Sequence, residues 1–449
     1  MRKSDFYVVY YAELERRVEA FLKDSETSLG DYDVKKPLMT FLCERLSLER
    51  EEYCRCRQQG LETDAAMQRI DAFFSDMRGK PIQVHEDADL ILTDVRLHPW
   101  YKALNGYKGG ILVYVSNAEQ FQYMSPLLEK FDVPTLLLSE YDLPEETNLP
   151  DCLTALTMEF SSHRMFRNPV FEARYPLLFH YVNTFDILLQ LLCPRVVFCL
   201  EGSRWQEELL AVVSSVRRVP SCCMQQGWPS IVQTGFQNMP FRYYFTWSEY
   251  FSSLWQTKNP KTHFIPCGYL YDTASYQQTL RNSVAFFLPT PCRMFDTDSF
   301  TQLVEFISVV AFCYSKITFL VREHPDYQLK DVVKNRWKEI SNIQIVTDNS
   351  LPEVFARACV VVAYHVSVLT ECLLYGCVPL AFVPASNFSP YPDIKQNGWG
   401  YIARTTEEIL SCLRGILDGK HHHATSKNIL GSFHEGDAAL HQIINFLKK

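Results

Sequence analysis

The sequence predicts an α/β protein with two successive doubly wound domains and a helical segment in front of them. Short apolar runs of strand length alternate with helix-like segments from Asp87 onwards, and a second series of such βα units starts near Ser283. Runs that are apolar on both faces are typical of parallel strands covered by helices on both sides. The length of 449 residues also suits two domains of ordinary size.

Three segments follow from this pattern. Residues 1–85 are predicted to form a helical N-terminal extension, because "YAELERRVEAFLKD" and "EEYCRCRQQGLETDAAMQRIDAFFSDM" repeat apolar residues at helical spacing. Residues 86–275 form a Rossmann-like domain with the strand candidates "DLILTDV", "GGILVYVSN", "VPTLLLSE", "LTALTMEF", "PRVVFCLEG" and "VPSCCMQQG". Residues 276–449 form a second one with "SVAFFLPTP", "ITFLVREHP", "IQIVTD", "CVVVAYH" and "VPLAFVP".

The composition indicates which classes of protein are excluded and in which cellular compartment the protein is expected. A net charge of −8 argues against a nucleic-acid binder. The 15 cysteines lie largely within apolar runs and form no C-x-x-C pair, which predicts buried thiols in a reducing cytoplasm. The N-terminus has no long apolar stretch of the secretory type, and no run of 18 apolar residues predicts a transmembrane helix.

Ligands of open α/β sheets bind at the carboxyl ends of the strands, so the residues that follow each predicted strand are the site candidates. Glu201 and Gly202 directly follow "VVFCL". A carboxylate there can act as a general base, with the glycine leaving room for a substrate. The alternative is a plain helix start, with Ser203 as the N-cap and Glu207 completing a capping box.

A second strand end carries two amides and an aromatic ring. Gln225, Gln226 and Trp228 lie in "MQQGWPS". These side chains can hydrogen-bond sugar hydroxyls and stack on a sugar ring. An ordinary Gly-Trp-Pro turn is an equally good interpretation.

The strand "ITFLV" ends on Arg322, Glu323, His324 and Pro325. A histidine held in front of a proline has restricted backbone freedom, which suits a rigid ligand contact. Its ring N–H, with the Arg322 guanidinium as a second donor, can bind a phosphate oxygen. The alternative is a histidine that is satisfied within a strand terminus.

The strand "CVVVAY" is followed by the predicted start of a helix. Ser367 can cap this helix, whose free N–H groups and dipole favour an anion. Glu371 lies one turn further on the same face, where a carboxylate suits ribose hydroxyls. The remaining candidates in this segment are His365 and Thr370. A plain capped helix is the alternative.

We expect no metal site. Asp296 and Asp298 imitate a D-x-D motif, but Asp298 or Ser299 would simply cap the following helix. The run from His421 to His423 lacks the i, i+4 spacing that brings two ligands together on a helix.

These motifs give the chain a resemblance to the GT-B glycosyltransferases. It looks most like the bacterial transferases that use CMP-activated sugars, namely polysialyltransferases, other sialyltransferases and the Kdo transferases of capsule and lipopolysaccharide biosynthesis. The residues that carry the resemblance are "LEGS", "REHPD" and "HVSVLTE". The sequence departs from the sialyltransferase pattern at Leu200, where that family has a first acid. "MQQG" is similar to the Gln-His-Gly of CDP-glycerol transferases, with glutamine for histidine.

The resemblance implies a GT-B fold with an acceptor domain at 86–275 and a donor domain at 276–449. It implies that Glu201 is the general base and that His324 contacts the CMP phosphate. It also implies that Ser367 lies near that phosphate and that Glu371 points toward the ribose. Independently of the family, the turn from Tyr364 to Ser367 contains no glycine, which favours a monophosphate over a diphosphate leaving group.

The sequence therefore predicts an enzyme, a metal-independent glycosyltransferase without a cofactor. It would move a 2-keto acid sugar, Kdo or sialic acid, from CMP to a cell-surface polysaccharide acceptor. The alternatives are a CDP-glycerol-type polyol-phosphate transferase, a UDP-sugar 2-epimerase, or a non-catalytic GT-B module that binds a glycan or a partner. Cytoplasmic location at the inner face of the membrane and a lipid-linked acceptor are compatible with this function. The donor, acceptor, linkage, stereochemistry and oligomeric state stay open.

Overall fold

The computed structural model describes residues 5–47, 63–80, 91–143, 149–227, 233–271, 273, 281–289, 297–324, 327–347, 350–364, 366–384, 394–395, 398–418 and 435–448. These residues form two compact units. The first unit contains the described parts of Tyr11–Leu48, Thr63–Tyr271 and Phe433–Lys449. The second unit contains those of Asp272–Ser432, together with residues 5–10.

The first unit is built on a seven-stranded sheet in the order β5-β4-β3-β6-β7-β8-β9. Every neighbouring pair in this sheet is parallel. The central strands are buried along their whole length, as their continuous apolar runs predict. The strands are β3 (Ile111–Val115), β4 (Thr135–Ser139), β5 (Leu153–Thr157), β6 (Val196–Leu200), β7 (Ser221–Met224), β8 (Tyr243–Thr246) and β9 (His263–Pro266).

Helices connect and cover these strands. The helix Pro176–Leu192 buries most of its residues because its sequence is apolar nearly all round. Asn117 caps the helix after β3 by accepting a hydrogen bond from the backbone N of Gln120. The helices are α4 (Trp100–Leu104), α5 (Ala118–Leu128), α6 (Pro169–Arg174), α7 (Pro176–Leu192), α8 (Trp205–Val216) and α9 (Glu249–Gln256). Short 3₁₀ turns lie at Val95–Leu97, Asn105–Tyr107 and Thr234–Phe236.

The second unit repeats the design with a six-stranded sheet in the order β12-β11-β10-β13-β14-β15, again parallel throughout. Its strands are β10 (Ser283–Phe287), β11 (Thr318–Arg322), β12 (Ile343–Ile345), β13 (Ala358–Ala363), β14 (Val378–Phe382) and β15 (Tyr401–Ala403). Its helices are α10 (Thr297–Cys313), α11 (Asp331–Lys338), α12 (Leu351–Arg357), α13 (Val366–Leu374) and α14 (Thr406–Leu417). The core between them includes Phe286, Ile307, Phe319 and Trp337.

The described residues 5–47 and 63–80 of the N-terminal segment are mainly helical, as predicted, and residues 11–47 and 63–80 belong to the first unit. The predicted helical residues 51–62 lie outside the described residues. Its elements are α1 (Asp5–Lys23), β1 (Ser28–Leu29), β2 (Tyr32–Asp33), α2 (Lys35–Ser47) and α3 (Thr63–Gly79). Asp186 of α7 links this segment to the first unit, because its carboxylate accepts a hydrogen bond from Tyr32. The same carboxylate accepts two hydrogen bonds from Arg217 at 2.5 and 2.8 Å. From Tyr11 onwards, the described extension is therefore part of the first unit rather than a separate domain.

The chain also returns to the first unit after residue 432. Helix α15 (Asp437–Leu447) buries Leu440, Ile443 and Leu447 in the first unit's core. Phe446 packs edge-on against Tyr243 at 4.8 Å between ring centroids. The predicted donor domain of residues 276–449 therefore differs from the structure at its C-terminal end.

None of the helices within the described residues has the length and apolar character that crossing a membrane requires. One predicted strand is different in the structure. Of "DLILTDV", the described part makes a single bridge from Ile91 to Arg164 and then enters the 3₁₀ turn Val95–Leu97.

Candidate functional site

The carboxyl edge of the first sheet brings together the residues that follow its parallel strands. Glu201 follows the central strand β6, Gln225 follows β7, and Glu140 follows β4. Two of these strand ends carry a carboxylate. Since β3 separates β4 from β6, the two strand ends lie about 10 Å apart.

Glu201 has an unusual backbone conformation for a side chain of its size. Its φ is 62° and that of Gly202 is 70°, so two successive residues occupy the left-handed region. Such a conformation costs on the order of 1–2 kcal/mol for a residue other than glycine. The main chain of Glu201 is fixed by its N–H, which donates to Met224 O at 2.8 Å, and by Tyr244 Oη, which donates to its carbonyl at 2.8 Å. These hydrogen bonds stabilise the strained backbone conformation of Glu201, and strained conformations of this kind are typical of functional positions.

The surroundings of Glu201 favour its protonated form. Burial raises the pKa of its carboxyl, Arg204 opposes this effect, and Glu119 adds to it. A carboxylate with a raised pKa is a stronger base than that of an ordinary surface glutamate.

Gly202 serves packing rather than substrate access. A Cβ at this position would lie 2.6 Å from Cys223 Sγ and 2.8 Å from a ring carbon of Phe241. The sequence interpretation, that the glycine leaves room for a substrate, is corrected by these contacts. The glycine is required by its φ and by its neighbours.

Gly202→Ala is expected to lower the free energy of unfolding by about 3 kcal/mol. The added Cβ would have to displace buried side chains and adopt a left-handed φ. Urea unfolding measures the change. Gly106→Ala is the matched control, since a Cβ there meets nothing within 4 Å and a change below about 0.5 kcal/mol is expected. Equal stability of the two variants would contradict this account of Gly202.

A second buried carboxyl supports the Glu201 loop. Glu207 in the first turn of α8 accepts from Gln120 Nε2 at 2.7 Å and from the backbone N of Arg204 at 3.3 Å. Gln120 also donates to the carbonyl of Leu200 at 3.4 Å. The predicted capping role of Glu207 is therefore present, but the N-cap residue is Arg204 instead of Ser203.

Burial raises the pKa of Glu207 to about 8, with the Gln120 hydrogen bond opposing and the Glu201 charge adding to the shift. The folded state then keeps this proton while the unfolded chain loses it. Stability should fall as pH rises from about 4.5 to about 8, by up to about 1.4 kcal/mol per pH unit.

Glu207→Gln cannot ionise, so the fall of stability between these pH values should become smaller. Unfolding free energies measured at pH 5, 6, 7 and 8 test this. The exposed Glu159→Gln is the control and should keep the wild-type slope. An unchanged slope in Glu207→Gln would show that Glu207 does not titrate in this range.

Glu140 was missed by the sequence interpretation. It accepts hydrogen bonds from Tyr114 Oη and, at 2.6 Å, from Tyr181 Oη. The ring of Tyr181 in turn packs against Trp205 at 4.9 Å between centroids. The sequence pattern that points to Glu201 also points to Glu140, since Glu140 follows the apolar run "TLLLS" as directly as Glu201 follows "VVFCL".

Gln225 is not available to a ligand. It is fully buried, its Oε1 accepts from the backbone N of Trp247 at 2.8 Å, and its Nε2 donates to Gly227 O at 3.1 Å. The predicted sugar contact by Gln225 is therefore wrong. Gln226 is half-buried and stays a candidate, while Trp228 lies outside the described residues.

In the second unit, Arg322 lies at the carboxyl end of β11. His324 follows two residues later, and its carbonyl accepts a hydrogen bond from the Tyr327 N–H at 3.0 Å. Burial lowers the pKa of the Arg322 guanidinium. Glu323 is engaged within the unit by Lys334 Nζ at 2.9 Å. Pro325 lies outside the described residues. A half-buried cation and a histidine at one strand end can receive an anion.

The helix after β13 differs from the prediction. Ser367 lies inside α13, which begins at Val366, so it does not cap the helix. Thr370 and Glu371 are 1% and 7% exposed, which leaves them little surface for a ribose. His365 lies outside the described residues.

Within the described ranges, no three histidine, cysteine or acidic side chains converge as metal ligands. The absence of a metal stays a prediction, because Asp296 and the histidines at 421–423 fall outside those ranges.

Comparison with known proteins supports the fold. No protein-family model matches the chain, and no curated protein is found similar to it. Solved structures are similar over 76% of the chain.

One such structure is the UDP-GlcNAc 2-epimerase of Methanocaldococcus jannaschii in complex with UDP-GlcNAc and UDP, with 13% identity, 99% of that chain covered and a TM-score of 0.50. Another is the Neisseria meningitidis UDP-GlcNAc 2-epimerase bound to UDP-GlcNAc, with 10% identity, 100% coverage and a TM-score of 0.52. A third is MnaA of S. aureus with UDP, with 12% identity, 96% coverage and a TM-score of 0.50. The expected two-domain GT-B fold is thereby confirmed.

Proposed function

We propose that the chain is a nucleotide-sugar-dependent enzyme in which Glu201 exchanges a proton with the sugar substrate. The observation that carries this proposal is the strained, half-buried Glu201 at the carboxyl end of the central strand β6. A protein that only bound a glycan would gain nothing from a glutamate held in a left-handed conformation with a raised pKa. Arg322 and His324 in the second unit are the proposed phosphate contacts, with Ser367 as a further polar group at the start of α13.

Epimerisation of a UDP-sugar at C2 is the first candidate reaction. The solved structures with a TM-score of at least 0.50 include UDP-GlcNAc 2-epimerases, and likeness of fold supports this class without establishing it. Inverting C2 breaks its C–H bond on one face and forms a new one on the other. The electron pair of the broken bond can form a C1–C2 double bond as UDP leaves from C1, and re-addition of UDP with a proton on the opposite face gives the epimer. Two carboxylates at one sheet edge, Glu201 and Glu140, supply groups for both transfers.

Transfer of a 2-keto acid sugar from CMP to a glycan is the second candidate. The Glu-Gly and His-Pro pairs at two strand ends favour it, as does the glycine-free turn before Ser367. Glu201 would then deprotonate the acceptor hydroxyl, and His324 with Arg322 would stabilise the departing CMP. A lipid-linked acceptor belongs to this candidate alone, whereas a cytoplasmic site of action is compatible with both candidates.

The reaction can be assigned in heavy water. Incubation with UDP-GlcNAc and no acceptor should place deuterium at C2 and yield the C2 epimer, both read by proton NMR. Incubation with CMP-Kdo or CMP-sialic acid and an oligosaccharide acceptor should instead release CMP in step with glycan growth. Turnover of CDP-glycerol would indicate the polyol-phosphate branch. Absence of turnover with all of these donors, together with absence of nucleotide binding, would leave a non-catalytic module.

A further inference from the structure

The N-terminal helix α2 reaches the Glu201 loop through Lys36. The Lys36 ammonium is half-buried and donates to Thr40 Oγ1 at 2.8 Å and to the carbonyl of Thr234 at 2.8 Å. It also forms an ion pair with Glu208 Oε1 at 2.5 Å. All of these residues belong to the first unit, so one cation joins three separate parts of it.

One of these parts is the 3₁₀ turn Thr234–Phe236, which lies directly on the Glu201 loop. A Cβ built on Gly235 would be 1.8 Å from the carbonyl oxygen of Ser203, so the two backbones are in close contact. Ser203 is two residues after Glu201. The Thr234 hydroxyl donates to Glu15 Oε1 of α1 at 2.7 Å, which holds the turn from its other side.

A second part is α8, which begins immediately after the loop. Glu208 in its first turn is fully buried, and Trp205 packs edge-on against Phe41 of α2 at 5.3 Å between ring centroids. Burial raises the pKa of Glu208 to about 7 and the Lys36 charge opposes this effect, so removing that charge would favour the protonated carboxyl and break the ion pair that joins α2 to the first turn of α8. Lys36 therefore acts on both sides of residues 201–204.

We propose that Lys36 is a positioning residue that keeps the Glu201 loop in its left-handed conformation. Lys36 does not touch the sheet edge where the substrate would react. Its effect passes through the turn at 234–236 and through the first turn of α8. This proposal rests on the proposed function where it predicts turnover, but its structural part can be tested without any substrate.

The substrate-free test is hydrogen–deuterium exchange on the full chain. Lys36→Met keeps most of the side-chain length and removes the charge and the donors. We expect backbone amides of residues 201–208 and 233–237 to exchange at least about tenfold faster, with unchanged exchange in the second unit's sheet. The matched control is Lys35→Met, which removes the same charge from the neighbouring residue. Equal exchange in the two variants would overturn the proposal.

The functional test uses the nucleotide sugar that the wild type turns over. Lys36→Met should lower kcat at least about tenfold with the KM for the donor unchanged, because the base is displaced while the nucleotide contacts lie in the second unit. Lys36→Arg should restore most of the rate, which a general loss of stability would not predict. A kcat of Lys36→Met equal to that of Lys35→Met would overturn the proposal.

Two further outcomes separate this proposal from the proposed function. If Lys36→Met does not fold, Lys36→Gln takes its place in both tests, since glutamine is polar but removes the charge that pairs with Glu208. If the wild type turns over no nucleotide sugar, the proposed function fails, and the exchange experiment still decides whether Lys36 holds the loop.

Discussion

Glu201→Gln is expected to lower kcat by about two to four orders of magnitude and to leave nucleotide binding unchanged. Glutamine cannot act as the base, because its amide does not accept a proton. Since glutamine has the size of glutamate, the main-chain hydrogen bonds of residue 201 with Met224 and Tyr244 should persist. Steady-state turnover of the preferred donor measures the loss. A thermal-shift titration with the matching nucleotide verifies that the fold and the second unit's binding residues are intact.

The matched control is Glu119→Gln. Glu119 is exposed, and its charge acts on the Glu201 carboxyl without lying in the loop. We expect the kcat of this variant to stay within about threefold of the wild type, since an exposed charge is screened by water and changes the electrostatic potential at Glu201 only modestly. A Glu201→Gln enzyme with more than about a third of the wild-type rate would exclude Glu201 as the group that accepts the proton.

His324→Ala is expected to abolish the stabilisation that a bound nucleotide gives to the fold. A ligand present at one hundred times its dissociation constant stabilises the folded state by about 2.7 kcal/mol, which a melting experiment detects readily. A panel of CMP, CDP, UMP, UDP and GDP with the wild type identifies the preferred base and phosphate number. The same panel with His324→Ala should show no shift, because the imidazole N–H donor at the end of β11 is lost.

His441→Ala is the control for this experiment, since His441 is an exposed residue of α15 in the first unit. It should retain the full nucleotide shift. A preference for UDP would favour the epimerase candidate, and a preference for CMP would favour glycosyl transfer. A nucleotide shift that survives in His324→Ala would remove His324 from the binding site.

The long apolar runs made the two parallel sheets predictable. Runs such as Val196–Leu200 and Ala358–Ala363 are apolar on both faces, and both are central parallel strands. Strands β8 and β9 were not predicted, because "YYFT" and "HFIP" carry aromatic or polar residues that also suit loops. "DLILTDV" has the composition of a strand, and its described part finds a single bridge instead of a ladder.

The positions of the candidate residues were predictable at strand ends, whereas those that depend on packing were not. Glu201 and Arg322 lie at carboxyl ends of parallel strands, as their positions in the sequence indicate. The burial of Gln225 depends on Trp247, twenty-two residues away, and could not be read from its own neighbours. The left-handed φ of Glu201 was equally hidden, because sequence patterns assign that region to glycine.

Helix α15 has a consequence for how the protein is made. The apolar residues Leu440, Ile443, Ile444 and Leu447 complete a core whose other buried members precede residue 272, so more than 160 residues of chain separate the two parts. A chain that has not yet made α15 lacks these core residues, so we expect the apolar residues that they cover to stay exposed until this helix has been synthesised. Closing so long a loop costs entropy and slows folding, and exposed apolar residues favour aggregation. A truncated protein that ends near residue 271 is therefore expected to aggregate, and fusing residues 433–449 to its end is expected to restore solubility.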